Sequence, residues 1–208
     1  HKLNIKTILA MTATVTRDTS RVICKNLNLD PSIDIVGTTK VPKNLVLTIS
    51  KKTDKLSALV ELLKSEPFRS LNSIIIYCTK REQTTQLETQ IRTLLQFDLP
   101  KSKVKNLVRS YHAGLGSYER THVQEQFISG KLRIVVATIA FGMGINKSDI
   151  RGIIHYNMPK SFENYIQELG RAGRDGQTAF CHLLLDTDGK DLFGLQSYIY
   201  ANGVDKPS

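Results

Sequence analysis

The sequence predicts an α/β fold, a parallel sheet with helices packed on both of its faces, and three observations carry that prediction. Apolar runs without polar alternation recur along the chain: SIIIYC (73–78), RIVVAT (133–138), GIIHYN (152–157) and AFCHLLL (179–185). Strands of that composition are buried on both faces, the signature of a parallel sheet. With LVLTI (45–49) and LVRSYHA (107–113) included, each run is divided from the next mostly by one helical stretch, as crossover connections between parallel strands require. The chain has 208 residues, 40% hydrophobic and 23% charged, which is enough to build a large core.

In chain order, KTILAMTAT (6–14) reads as a buried strand entering a hydroxyl-rich turn, and VTRDTSRVICKNLNL (15–29) as the helix after it, ended by Asp30-Pro31. GTTKVPKN (37–44) combines glycine, proline and small polar residues and reads as a linker, so the domain boundary is placed there. LVLTI (45–49) is a strand, and DKLSALVELLK (54–64) an amphipathic helix opened by aspartate. After SIIIYC, REQTTQLETQIRTLLQF (81–97) is a helix, LVRSYHA (107–113) a strand and SYERTHVQEQFIS (117–129) a helix. The strands at 133–138 and 152–157 follow. SFENYIQELGRAGR (161–174) then reads as a helix, 179–185 as a strand and DLFGLQSYIYA (191–201) as a closing helix. The expected organisation is therefore the end of one domain at 1–36, a linker at 37–44, a main domain at 45–187 and a C-terminal helix within 188–208.

Lysine and arginine outnumber aspartate and glutamate 29 to 19, a formal charge of +10 that points to a polyanionic partner. No apolar run is long enough to cross a bilayer, and HKLNIKT at the N-terminus has no signal-peptide core, so a soluble intracellular chain without a membrane partner is expected. Cys24, Cys78 and Cys181 are odd in number, far apart and without CxxC spacing, which supports neither a disulfide framework nor a zinc site. Cys181 and His182 read as neighbouring strand positions.

The stretch QELGRAGRDG (167–176) stands out. At helical spacing Gln167, Gly170, Arg171 and Arg174 share one face, placing two guanidinium groups together where an apolar stripe belongs. Two readings stay open: a clamp for an anion, or a solvated basic helix end closed by Gly176. A parallel sheet binds ligands at the carboxyl ends of its strands, so the residues that follow each strand are the next candidates. Thr79, Lys80 and Arg81 follow one strand, His112, Ala113 and Gly114 another, and Thr138 with the glycines of AFGMGIN (140–146) a third. Hydroxyls, glycine amides and basic groups suit phosphate oxygens. Taken singly, Thr79 also reads as a helix cap, His112 as a hydrogen-bonded edge histidine and Thr138 as a turn hydroxyl.

Together SIIIYCT (73–79), SYHAGL (110–115), VATIAFGMGIN (136–146) and QELGRAGRDG resemble, in that order, the C-terminal motifs of superfamily 2 helicases, and AFGMGIN with GRAGRDG resembles the RecQ DNA helicases. The strand IIIYC and FCHLLL look most like the Rothmund–Thomson-type subgroup, while AMTAT (10–14) resembles the motif that closes the first helicase lobe. The resemblance implies a second RecA-like lobe, preceded by a remnant of the first lobe and followed by a helix leading to a downstream module. It also implies an ATP-dependent 3′-to-5′ helicase acting on single-stranded and forked DNA in repair and recombination, nuclear in a eukaryote and otherwise cytoplasmic. Magnesium ATP would be held mainly by the first RecA-like lobe, the partner of this one. Arg174 would be the arginine finger and Arg171 its companion, with Gln167 positioning the pair. Asn146, Gly144 and Gly170 would lie at the nucleotide, and Asn146 departs from the aspartate common in that motif. Thr79, Arg81, His112, Gly114 and Thr138 would hold the DNA backbone, and Thr12 and Thr14 would couple hydrolysis to movement. No GxxxxGK[ST] loop or DExH box occurs in the chain, and the cysteines of the family's zinc module are absent. These residues alone are expected neither to hydrolyse ATP nor to bind zinc. A non-catalytic nucleic-acid- or protein-binding lobe and an RNA helicase lobe are the alternatives.

Overall fold

The computed structural model describes residues 7–12, 17–37, 42–96, 106–142, 145–189 and 191. The chain divides into two compact units between Val41 and Pro42. In the first, α1 spans Arg17–Leu27. Asn28, with φ 53°, ends it in the left-handed conformation, two residues before the expected stop at Asp30-Pro31. Asp30 instead organises a turn, accepting from the Ser32 backbone N–H at 2.8 Å and the Ser32 hydroxyl at 2.6 Å. The strand expected over 6–14 is not formed by its described part: residues 7–12 are irregular and exposed. An apolar strand needs a hydrogen-bonded neighbour and cover on both faces, and no described residue of this unit supplies a ladder.

The second unit holds six strands: β1 (Leu45–Lys52), β2 (Ile74–Tyr77), β3 (Val108–Tyr111), β4 (Ile134–Ala137), β5 (Gly152–His155) and β6 (Ala179–Asp186). Every pairing is parallel, in the spatial order β1-β6-β5-β2-β4-β3. Side chains alternate across the sheet, so the apolar runs serve two cores at once. On one face Ile74, Ile76, Ile134, Val136 and Ile154 pack under α2 (Lys55–Lys64) and α3 (Arg81–Leu95) through Leu59, Leu63, Leu87 and Ile91. On the other, Ile75, Tyr77, Val135 and Ile153 pack under α4 (Ser117–Ile128) and α5 (Phe162–Leu169) through Val123, Phe127 and Leu169. Helix α2 starts where expected, the Asp54 carboxylate accepting from the Ser57 N–H at 3.0 Å. Of the C-terminal helix expected at 191–201, only Asp191 is among the described residues. None of the described helices is long and apolar enough to cross a membrane.

Because all strands run the same way, their carboxyl ends share one edge, which gathers the residues after β2, β3, β4 and β5. Cys78 closes β2 and Cys181 lies within β6, both buried. Burial pushes each thiol up to about 12, opposed at Cys78 by the nearby Lys55 ammonium. Since the thiolate is the nucleophile, the native chain at pH 8 should resist iodoacetamide at Cys78 and Cys181 and react at both once unfolded in guanidinium. Mass spectrometry of the peptides checks this, and rapid native labelling of either would contradict the packing described.

Candidate functional site

Helix α5 begins at Ser161, whose hydroxyl accepts from the Asn164 N–H at 3.2 Å, and it stops at Gly170. The expected helix through Arg174 is therefore corrected: Arg171 and Arg174 lie in the turn after the helix, and Gln167, Gly170, Arg171 and Arg174 do not share a helical face. Two glycines of low helix propensity explain the break. The Gly173 N–H is captured by the Ile150 carbonyl at 3.0 Å, and Gly173 takes φ +59°. A Cβ there would sit 2.5 Å from Asn44 Nδ2, which donates to the carbonyls of Gly173 and Gln177 at 2.8 Å each.

Both guanidinium groups reach the loop after β4. Arg171 Nη1 donates to the Gly142 carbonyl at 2.6 Å, while Arg174 donates to the carbonyls of Gly170 at 3.0 Å and Ile145 at 3.4 Å. Gly142 has φ +143°, and a Cβ on it would collide with the Arg171 guanidinium carbon. Its missing side chain makes room for arginine rather than for a ligand. Beneath, Tyr77 donates to the Phe141 carbonyl at 3.3 Å, its hydroxyl pKa raised by burial, an effect the Arg171 charge opposes. Neither arginine has a carboxylate partner among the described residues. The adjacent Asp175 pairs with Arg151 instead and accepts from the Gln177 N–H at 3.1 Å. Gln167 is exposed on the last turn of α5, Gly170 caps that helix, and Asn146 is exposed beside Ile145. Gly144 lies outside the described residues.

The residues after β2, β3 and β4 form two groups. Arg81, His112 and Gly114 make the first: the Gly114 N–H donates to His112 Nδ1 at 3.1 Å, which leaves Nε2 as the donor to the Thr85 hydroxyl at 3.5 Å. A Cβ on Gly114 would lie 3.0 Å from His112 Nδ1 and 3.8 Å from Arg81 Cδ, so the three are in contact distance. Thr79 and Thr138 make the second, on a small pocket of about 70 Å³ that Asn157, Lys160 and Asn164 also line. Thr79 does not cap α3, whose N-cap is Lys80 without a side-chain bond; its N–H donates to Asn157 Oδ1 at 3.2 Å. Thr138 is buried, and its N–H donates to the Tyr111 carbonyl at 3.2 Å. Asn157 and Lys160 join this pocket beyond the residues the sequence points to; Asn157 ends the run GIIHYN and so stands at a strand's carboxyl end like Thr79 and Thr138. On the pocket wall, His155 Nε2 and Glu168 Oε2 lie 2.7 Å apart, both residues buried. Thr12 is exposed in the first unit, and Thr14 lies outside the described residues.

A larger cavity, about 250 Å³, opens at the opposite edge among Ser73, Lys147, Asp149 and Arg151. Its cations are neutralised, Lys147 by Asp149 at 3.0 Å and Arg151 by Asp175, so the carboxyl edge is the better anion site.

The helicase conserved C-terminal domain family matches residues 54–176, and the chain belongs to it. Its similarity runs to helicases of the RecQ type. It is 42% identical over 208 residues to ATP-dependent DNA helicase Q4 of Homo sapiens, covering 98% of this chain and 17% of that protein. With ATP-dependent DNA helicase RecQ of Pasteurella multocida it shares 36% identity over 169 residues, 81% of this chain and 24% of that one. The chain thus spans less than a quarter of the length of these relatives. In structure it matches Saccharomyces cerevisiae Dbp5 bound to RNA and ADP BeF3, with a TM-score of 0.69 at 19% identity over 94% of this chain and 49% of that one. That likeness establishes the fold, the RecA-like three-layer lobe of helicase C-terminal domains.

Gly142→Ala should displace the Arg171 guanidinium and destabilise the chain by about 1–3 kcal/mol, the range for a side chain forced into a glycine-only conformation. The Arg171 Nε–Hε NMR resonance and the urea midpoint measure the two effects.

Proposed function

We propose that residues 45–187 are the second motor lobe of an ATP-dependent 3′-to-5′ DNA helicase. In this reading 1–36 ends a first RecA-like lobe, 37–44 links the two, and 188–208 leads toward a further module. The observation that carries the reading is the state of the arginine pair. Both guanidinium groups are fixed by backbone carbonyls and, among the described residues, neutralised by no carboxylate. A positioned cation of this kind is suited to developing negative charge on a transferring phosphoryl group. Arg174, the more exposed of the two, is the finger; Arg171, tied to Gly142, is its companion, and Gln167 orients the pair.

Magnesium ATP would be supplied and held mainly by the first lobe, with Asn146, Gly144 and Gly170 meeting the nucleotide from this side. The chain's own task is to present the two guanidinium groups and exclude water from around them. Thr79, Arg81, His112, Gly114 and Thr138 hold the phosphates of single-stranded DNA along the carboxyl edge, and Thr12 and Thr14 couple hydrolysis to its movement. Basic charge and hydroxyls at that edge support a backbone ligand rather than a base-specific one.

In the longer protein, Arg174→Ala should lower DNA-stimulated ATP turnover by about 10³-fold or more, the scale of an arginine finger. Binding of a fluorescent ATP analogue should stay near the unaltered level. Near-normal turnover would remove the finger and leave a nucleic-acid-binding lobe as the description. Comparing stimulation by DNA and RNA strands of equal length tests the choice of nucleic acid.

A further inference from the structure

Among the described residues two exposed aromatic side chains stand outside the core near the carboxyl edge, Phe162 at the start of α5 and Tyr118 in the first turn of α4, and Tyr118 is the one that follows the His112 group in the chain. Helix α4 buries Val123 and Phe127. Tyr118, five residues before Val123, is directed to another side of the helix and is 82% exposed. It is not a loose side chain. Its ring stacks on that of His122, one helical turn on, with centroids 6.1 Å apart and planes 5° from parallel. His122 is itself oriented, its Nε2 accepting from Gln126 Nε2 at 2.9 Å. The three residues form an i, i+4, i+8 stripe that holds a flat π-face toward solvent.

The position of this stripe decides what it meets. Tyr118 is in the first turn of α4, at most ~14 Å of extended chain from Gly114, and the Gly114 N–H and Arg81 belong to the group around His112. The helix start is fixed by the Glu119 carboxylate, which accepts from the Gly116 N–H at 3.3 Å and is thereby drawn to the cap. A strand held by its phosphates at Arg81, His112 and Gly114 turns its bases away from those contacts. An exposed aromatic ring within one or two nucleotides of them offers such a base a stacking surface.

We propose that Tyr118, backed by His122, is a base-stacking platform for single-stranded nucleic acid, one that adds affinity without reading sequence. The proposal rests on the carboxyl edge being the nucleic-acid face. Stacking needs the ring and not the hydroxyl, and it needs a base, so it is separable from phosphate contacts.

The test uses the 208-residue chain, fluorescence anisotropy, an oligothymidylate and an abasic strand of the same length. Tyr118→Ala should weaken binding of oligothymidylate about tenfold, within the range for losing one stacked base. Tyr118→Phe should keep it, and on the abasic strand Tyr118→Ala should cost nothing further. The slope of log affinity against log salt should stay unchanged in Tyr118→Ala and become shallower in Arg81→Ala. Equal loss on both strands, or no loss on either, overturns the stacking platform while leaving the phosphate edge in place. Absence of binding by the unaltered chain at low salt, or binding without a salt slope, overturns the nucleic-acid face and the platform with it.

Discussion

The hydrogen bond from Arg171 to the Gly142 carbonyl ties two loops that are distant in sequence, the one after β4 and the turn after α5. Much of the local sequence is a condition for that bond. Gly142 must lack a side chain, because the guanidinium occupies the space a Cβ would take. The helix must stop at Gly170, because a continuing helix would carry Arg171 round its own axis instead of across to the loop. Gly173 must turn left-handed for its N–H to meet Ile150, just ahead of β5. Asn44 then closes the far side, bonding the carbonyls of Gly173 and Gln177.

The fold was legible because its signals are strong and local. Unalternated Ile and Val runs leave few options other than doubly covered strands, and all six strands sit where such runs or their β-rich equivalents predict. What misled was continuity. Helical periodicity runs unbroken from 161 to 174, and the low helix propensity of Gly170 and Gly173, together with the capture of Gly173 by Ile150, a contact 23 positions apart in the numbering, ends the helix at Gly170. The stretch 7–12 failed for a related reason: its apolar residues record a preference for a sheet, but a strand is a pairing, and this unit offers no partner strand among its described residues.

The site was legible as a list and not as an arrangement. Strand-end residues could be named, but their division into the His112 group and the Thr79–Thr138 pocket depends on sheet order. In sequence β3 precedes β4; in space β4 separates β3 from β2, and β5 flanks β2 on its other side. That order brings Asn157 to the Thr79 N–H across 78 positions. It also explains why Glu168, adjacent to Gln167, belongs to the interior: α5 crosses the end of β5, where His155 accepts or donates in a buried 2.7 Å bond. One helical turn thus presents an amide outward and a carboxylate inward, a difference no one-dimensional motif records.

The same geometry decides where the excess positive charge is usable. A guanidinium paired with a carboxylate presents little field beyond a few ångströms, whereas one held by carbonyl dipoles is oriented yet keeps its net charge. At the amino edge Lys147 and Arg151 are cancelled by Asp149 and Asp175. Asp175 is the instructive residue: one position from Arg174 in sequence, it is directed to Arg151 and to the Gln177 N–H. Had that carboxylate turned back on its neighbour, the pair would be internally satisfied and an incoming anion would have to displace it. By giving Asp175 another cation, the turn leaves Arg174 held by the carbonyls of Gly170 and Ile145 and without a carboxylate partner among the described residues.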